Sequence, residues 1–363
     1  MSKRAAVLTT VLVQVVALAL WGVAQAGPLQ PLQTFTGGVA FSADGTGGTL
    51  PDGSPILGGS LDVQTTVDGS TVVKAWLYNV TFDPGSPATT DAILGGKPVT
   101  LNRLAGTDPT CCNLQTYRAD VTAIVAPLIG PAKGITSIPV SLALTSIIPP
   151  SDGLALVVVY SSPLLPATQS VSILDGGQGG PAVQNTFFAL GGPLDKTVPG
   201  FQAILSLGIN FSFQAPVNGH GCGAVQFSKV VVNGGPLTSC AGNRDDGSLL
   251  GDGDNGTLIT IGGVGDDTLN PPDPTGPGGN DDELYDISSF LKQGDTLVNL
   301  TTSNPSNDDS IFIAILQLTA DIVDVCPLPP CGGPSPTVPA PSALFLLGSG
   351  LLGALGAGWF LRR

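Results

Sequence analysis

The chain has 363 residues, of which 27 are acidic, 13 are Lys or Arg and one is His, giving a net charge of −14. With the two terminal segments set aside, residues 27–337 keep nine basic residues against all 27 acidic ones, a net charge of −18. That excludes binding to nucleic acid or to an anionic lipid surface, because both need clustered Lys and Arg.

The N-terminus opens with Lys3 and Arg4, runs apolar from Ala5 to about Leu20, and reaches the small residues Ala24 and Ala26. This is the layout of a signal peptide over 1–26, and signal peptidase is expected to cut after Ala26. Strand-like runs follow: TFTGGVAFSADG, ILGGSLDVQTTVDG and STVVKAWLYNVTFD, each rich in β-branched or aromatic residues and ended by turn formers. QTYRADVTAIVAPL reads as a strand leading into a helical turn, and ITSIPVSLALTS and GLALVVVYSSP follow. LALVVVY is apolar at every position and is expected to be a central strand buried on both faces. Trp76, in KAWLYNV, reads as core and not as a sugar platform.

After the Gly-rich stretch at 175–181 a second series begins with NTFFALGG, FQAILSLGINFSFQAP, AVQFSKVVVNGG and GTLITIGGVG. YRADVTAIV (117–125) and LYDISSFL (284–291) match in kind, and each is followed by a strand run and then a very apolar one. We therefore expect an all-β chain with two jelly-roll-like β-sandwich domains in series, 27–180 and 181–325; one long sandwich with insertions is the alternative. Residues 326–337 form a Pro-rich spacer.

Six cysteines in an exported chain read first as disulfides. Cys222 and Cys240 flank what reads as one strand-like segment, and Cys326 and Cys331 bracket a short loop. Cys111 and Cys112 then form a vicinal pair or take distant partners, so the pairing stays open. Zinc is disfavoured by a single His, His220, and the absence of any CxxC pair. Two acidic stretches carry the oxygen chemistry of calcium: 243–256, with Asp245, Asp246, Asp252 and Asp254, and 265–286, with Asp281 and Asp282. EF-hand spacing is not met, and a solvated, turn-rich acidic loop is the plainer reading; no other cofactor is indicated. Asn79, Asn210, Asn255 and Asn299 begin N-x-Ser/Thr triplets, a pattern common by chance. No GxSxG elbow accompanies His220, and no residue stands out as catalytic.

The C-terminus ends in 19 uncharged residues, Ala343–Leu361, followed by Arg362 and Arg363. As a helix they span about 28 Å, close to the roughly 30 Å of a bilayer's hydrocarbon, with the arginines on the cytoplasmic side. Val338-Pro339-Ala340-Pro341-Ser342, the apolar run and the Arg pair together resemble the PEP-CTERM sorting signal of Gram-negative bacteria, with Ala340 where that family most often has Glu. The resemblance covers 338–363. It implies an exosortase-type membrane protease as partner, transient anchoring in the inner membrane, and a link to exopolysaccharide and biofilm. The middle of the chain is also similar to a bacterial and archaeal surface-protein sandwich family of unassigned function. That likeness rests on Tyr117–Thr122, Gly153–Tyr160, Asp175-Gly176 and residues 281–288. The expected function is a non-enzymatic, exported surface or matrix protein with a structural or adhesive role beside extracellular polysaccharide. The alternatives are a carbohydrate-binding surface module and a matrix polysaccharide hydrolase.

Overall fold

The computed structural model describes residues 29–48, 58–82, 87–104, 113–142, 151–178, 182–211, 228–242, 259–266, 268, 283–307 and 309–326. Alternating and wholly apolar runs give nineteen strands among them, with only brief helical turns. The signal-peptide and tail readings, and with them the proposed membrane helix, lie outside the described residues. None of the described helices is long and apolar enough to cross a membrane.

After β1 (Gln30–Thr36), eight strands build one sandwich: β2 (Val39–Gly47), β3 (Gly58–Thr65), β4 (Thr71–Phe82), β5 (Thr89–Leu94), β6 (Lys97–Arg103), β7 (Leu114–Asp120), β8 (Gly134–Leu142) and β9 (Ser151–Ser161). Their pairing order is β2-β9-β4-β7 on one side and β3-β8-β5-β6 on the other. A short β6–β7 pairing, Asn102 with Arg118 and Arg103 with Tyr117, joins the two halves into one eight-stranded sheet.

The rest of the chain repeats the plan. It consists of β10 (Gln169–Gln178), β11 (Gln184–Leu190), β12 (Ala203–Asn210), β13 (Ser228–Val232), β14 (Gly235–Ala241), β15 (Ile259–Ile261), β16 (Leu284–Asp286), β17 (Leu297–Ser303), β18 (Ser310–Thr319) and β19 (Ile322–Cys326). The orders β10-β18-β12-β16 and β11-β17-β13-β14 reproduce those of the first sandwich strand for strand. This is jelly-roll connectivity, twice. β1 and β15 extend one sheet of the second copy, and β19 extends the other. SVSILDGG, which reads from sequence as the close of the first series, is β10 and opens the second sandwich.

The repeat reaches local detail. Both β7 and β16 end in an Asp that accepts the amide of the residue two further on: Thr122 at 3.0 Å from Asp120, Ser288 at 2.8 Å from Asp286. The intervening Val121 and Ile287 are buried, and their amides donate to Ala75 at 2.9 Å and Ala203 at 2.8 Å. A helical turn then follows in each copy, α1 (Thr122–Val125) and a 3-10 turn at Ser288–Phe290. The β5–β6 and β13–β14 hairpins close through Gly95-Gly96 and Asn233-Gly234, all at positive φ, as two-residue turns between twisted strands require. AVQFSKVVVNGGPLTS is thus not one strand. Its described part is a hairpin, because Asn-Gly turns the chain back on itself.

Three apolar cores result. Leu61, Leu77, Leu101, Ile138 and Leu156 fill the first sandwich, and Phe188, Leu205, Val230, Leu300 and Leu316 fill the second. The third lies between the facing sheets β2-β9-β4-β7 and β10-β18-β12 and contains Trp76, Val157, Val159, Ile173, Phe312 and Ile315. β9 and β18 therefore each sit between two cores, which is why GLALVVVY and SIFIAILQL are apolar on both faces. Gly208 permits the close packing, since a Cβ there would meet Phe312 Cζ at 2.7 Å.

Candidate functional site

Strand direction divides the molecule into two unlike ends. At one end most strands are joined by short connections, at 37–38, 66–70, 95–96, 162–168, 233–234 and 320–321, or by the helical turns after β7 and β16, with the longer 191–202 between β11 and β12. At the other, β2, β4, β6, β8, β10, β12 and β14 all finish, and the connections that leave them include 48–57, 104–113, 143–150, 211–227 and 242–258. Cys111, Cys112, His220, Cys222, Asp245, Asp246, Asp252 and Asp254 belong to these connections; Asp281 and Asp282 belong to the one between β15 and β16. Those residues lie outside the described ones, as do Cys331, Asn255 and the sorting motif. The described strands β6, β12 and β14, which precede 105–112, 212–227 and 243–258 in sequence, finish at one end of the fold, which their spacing in sequence does not suggest.

The strand ends there are held by buried polar groups. Asn79 donates to Thr90 at 3.1 Å and accepts from Ser151 Oγ at 2.6 Å, spanning the mouth of the first sandwich. Asp152, fully buried, accepts the Phe211 amide at 3.0 Å and so ties β9 of one sandwich to the end of β12 in the other. Asp309, also fully buried, accepts from Ser228 Oγ at 2.9 Å and Ser306 Oγ at 3.1 Å. Glu283 accepts the Gly242 amide with one oxygen and the Tyr285 hydroxyl, at 2.9 Å, with the other. Each carboxylate fixes a strand end, Asp152 and Glu283 through a backbone amide and Asp309 through serine hydroxyls, as burial of a charge demands.

Between the sandwiches the buried Tyr78 of β4 and Asp175 of β10 form a triad with the half-buried Arg118 of β7. Tyr78 donates to Asp175 Oδ2 at 3.0 Å, and Arg118 pairs with the same oxygen. Burial pushes the Asp175 carboxyl above its ordinary range against the pull of Arg118, and burial together with Asp175 raises the Tyr78 hydroxyl. The triad pins β4 and β7 of one sandwich to β10 of the other. Sequence patterns flagged Arg118 and Asp175 only as packing motifs; nothing in their spacing tells that they meet.

The remaining sequence-derived sites have definite places. Trp76 is 3% exposed in the shared core, as its apolar setting suggests. Asn79 and Asn210 are buried, so neither N-x-Ser/Thr triplet is open to modification in the folded chain, while Asn299 lies on β17. Cys240 lies on β14. Cys326 closes β19 opposite Phe187 and is disulfide-bonded. No cluster of three His, Cys, Asp or Glu able to hold a metal occurs among the described residues.

No protein-family model matches the chain, and no curated protein matches it. Among solved structures it is similar to a β-porphyranase of glycoside hydrolase family 86 from the human gut bacterium Bacteroides plebeius, at 10% identity and a TM-score of 0.21 over 80% of this chain and 36% of that one. It is also similar to the major capsid protein P2 of bacteriophage PM2, at 10% identity and a TM-score of 0.19 over 77% and 96% of the two chains. The Sputnik virophage structure matches at 7% identity and a TM-score of 0.18, over 80% of this chain and 87% of that one. The chain spans about a third of the length of the glycoside hydrolase. Likenesses this distant inform neither activity nor ligand.

Proposed function

We propose that the protein is exported and serves as a non-catalytic, structural or adhesive component of a surface or extracellular polysaccharide layer. Its two sandwiches act as one rigid body that presents the loop-bearing end to its surroundings. The observation that carries this reading is the employment of the buried carboxylates at that end: Asp152, Asp309 and Glu283 each hold a strand end or loop root. A scaffold for display needs its loop roots fixed, whereas general acid–base work needs a carboxyl directed at open solvent or substrate. The −18 charge of residues 27–337 suits a soluble surface module. The tail supplies delivery: an apolar run before Arg362 and Arg363, preceded by Val338–Ser342, halts in the inner membrane and is handed to an exosortase-type protease.

Fractionation of producing cells, intact mass of the recovered protein and its retention on polysaccharide from the same cells test the proposal together. The expected result is a surface or extracellular protein that starts at Gly27, lacks the residues beyond the sorting motif, binds the polysaccharide and leaves its chain length unchanged. Cytosolic protein with both termini intact and reduced thiols would overturn the reading. Shortening of the polysaccharide by pure protein would replace it with the hydrolase.

A further inference from the structure

β2 and β3 come together where the first sandwich would otherwise gape, and no backbone ladder joins them. Side chains take the place of carbonyls. Ser42 Oγ accepts the Gln64 amide at 2.9 Å, and Asp44 Oδ2 accepts the Asp62 amide. One step further along, Gly59 lies so close to Thr46 that a Cβ there would run into the Thr46 hydroxyl. Alternate residues of β2, at 42, 44 and 46, thus close the edge of β3. At the middle rung the acceptor is a carboxylate, and the residue it holds is itself an aspartate. Asp62 keeps one carboxylate oxygen buried and without a hydrogen-bond partner.

Among the described residues the surroundings supply nothing to offset a second negative charge. Across β2 from Asp44 stands Leu156 of β9, and Asp62 faces Ser137 of β8. On the other side of β2, the turn after β15 brings Asp266, whose carboxylate accepts its own Gly263 amide. Among the described residues no Lys or Arg acts on Asp44, and Asp62 is the one charged group that does.

We propose that the β2–β3 seam is a pH-sensitive latch, closed while Asp44 carries a proton and loosened when Asp44 ionises beside Asp62. Burial first, and then the neighbouring Asp62 charge, raise Asp44 from 3.8 to about 7, against the amides of Asp62 and Gly45. The folded chain therefore holds a proton that the unfolded chain has released. Stability from this group is full below the ordinary carboxylate range and declines as pH rises toward 7, beyond which the loss is complete. Opening the latch frees the edges of β2 and β3, the groups a strand needs to pair with another chain. The inference is independent of where the protein is sorted.

Denaturant unfolding of the purified protein between pH 5 and pH 8 tests it. The wild-type folding equilibrium constant should fall more than about tenfold across that range. Asp44→Asn, which keeps an acceptor but cannot ionise, should remove that fall. Asp62→Asn, which removes the opposing charge, should move the fall to lower pH. Parallel profiles for wild type and Asp44→Asn, or an unshifted one for Asp62→Asn, would overturn the proposal. Should Asp44→Asn fail to fold, hydrogen exchange of the wild-type Asp62 amide, corrected for intrinsic pH dependence, still decides. Protection lost through neutral pH supports the latch, and constant protection refutes it.

Discussion

The two sandwiches share a strand order but differ in how they finish their edges. The first joins its two halves through β6–β7 and closes its gap with the side-chain rungs of Ser42 and Asp44. The second leaves its halves separate and adds strands, with β1 and β15 on one sheet and β19 on the other. An unpaired strand edge invites unwanted pairing, and the molecule handles that hazard once with side chains and once with spare chain. A duplicated fold therefore fixes the pairing order of its strands and leaves their edges free to diverge.

The sharpest test of this comparison is whether the copies unfold together. Phe312→Ala in the shared core should cost about 3–5 kcal/mol and preserve a single transition, with fluorescence and far-UV circular dichroism coincident. Two separated transitions would show that the sandwiches are energetically independent. Next in size is Arg118→Ala, which leaves Asp175 buried beside Tyr78 and should cost about 3 kcal/mol in denaturant titration. Replacing both partners by apolar residues, Arg118→Met with Asp175→Leu, should recover most of that loss.

The matched turns permit a paired measurement. Ile287→Ala should cost about 2–4 kcal/mol, and Val121→Ala about 1 kcal/mol less, because one fewer methylene leaves the core. A far larger gap would mean that the two turns do not play the same part. Smallest of all are Asp120→Ala and Asp286→Ala, each about 1 kcal/mol or less at neutral pH. Burial raises the Asp120 carboxyl, but hydrogen bonds from Lys74 and Thr122 prevail and hold it below its ordinary value. Its contribution is present above that value and lost as pH falls through the lowered one, so Asp120→Ala and wild type should converge in acid.

Much of the strand content was legible because burial in a sheet leaves a period in the sequence. GLALVVVY announced a strand covered on both faces, and the likeness of YRADVTAIV to LYDISSFL announced a repeated turn that the hydrogen bonds of Val121 and Ile287 reproduce. The β5–β6 hairpin was missed although Gly95-Gly96 marks it, since TTDAIL and KPVTLNR are short and only half apolar. The candidate site was far less legible. Asp152 is a lone acid at the head of an apolar strand, and nothing local tells that its partner is the Phe211 amide.

By itself the sequence determined the all-β class, the doubled pattern, the acidic character and the expectation of export, because hydropathy, turn chemistry and charge act through near neighbours along the chain. Tertiary structure alone decided that the copies share a third core, that β6, β12 and β14 finish at one end, and that Asp44 meets Asp62 and Arg118 meets Asp175. Those contacts join residues 18 and 57 positions apart, and their energies arise only once packing has removed water from between them.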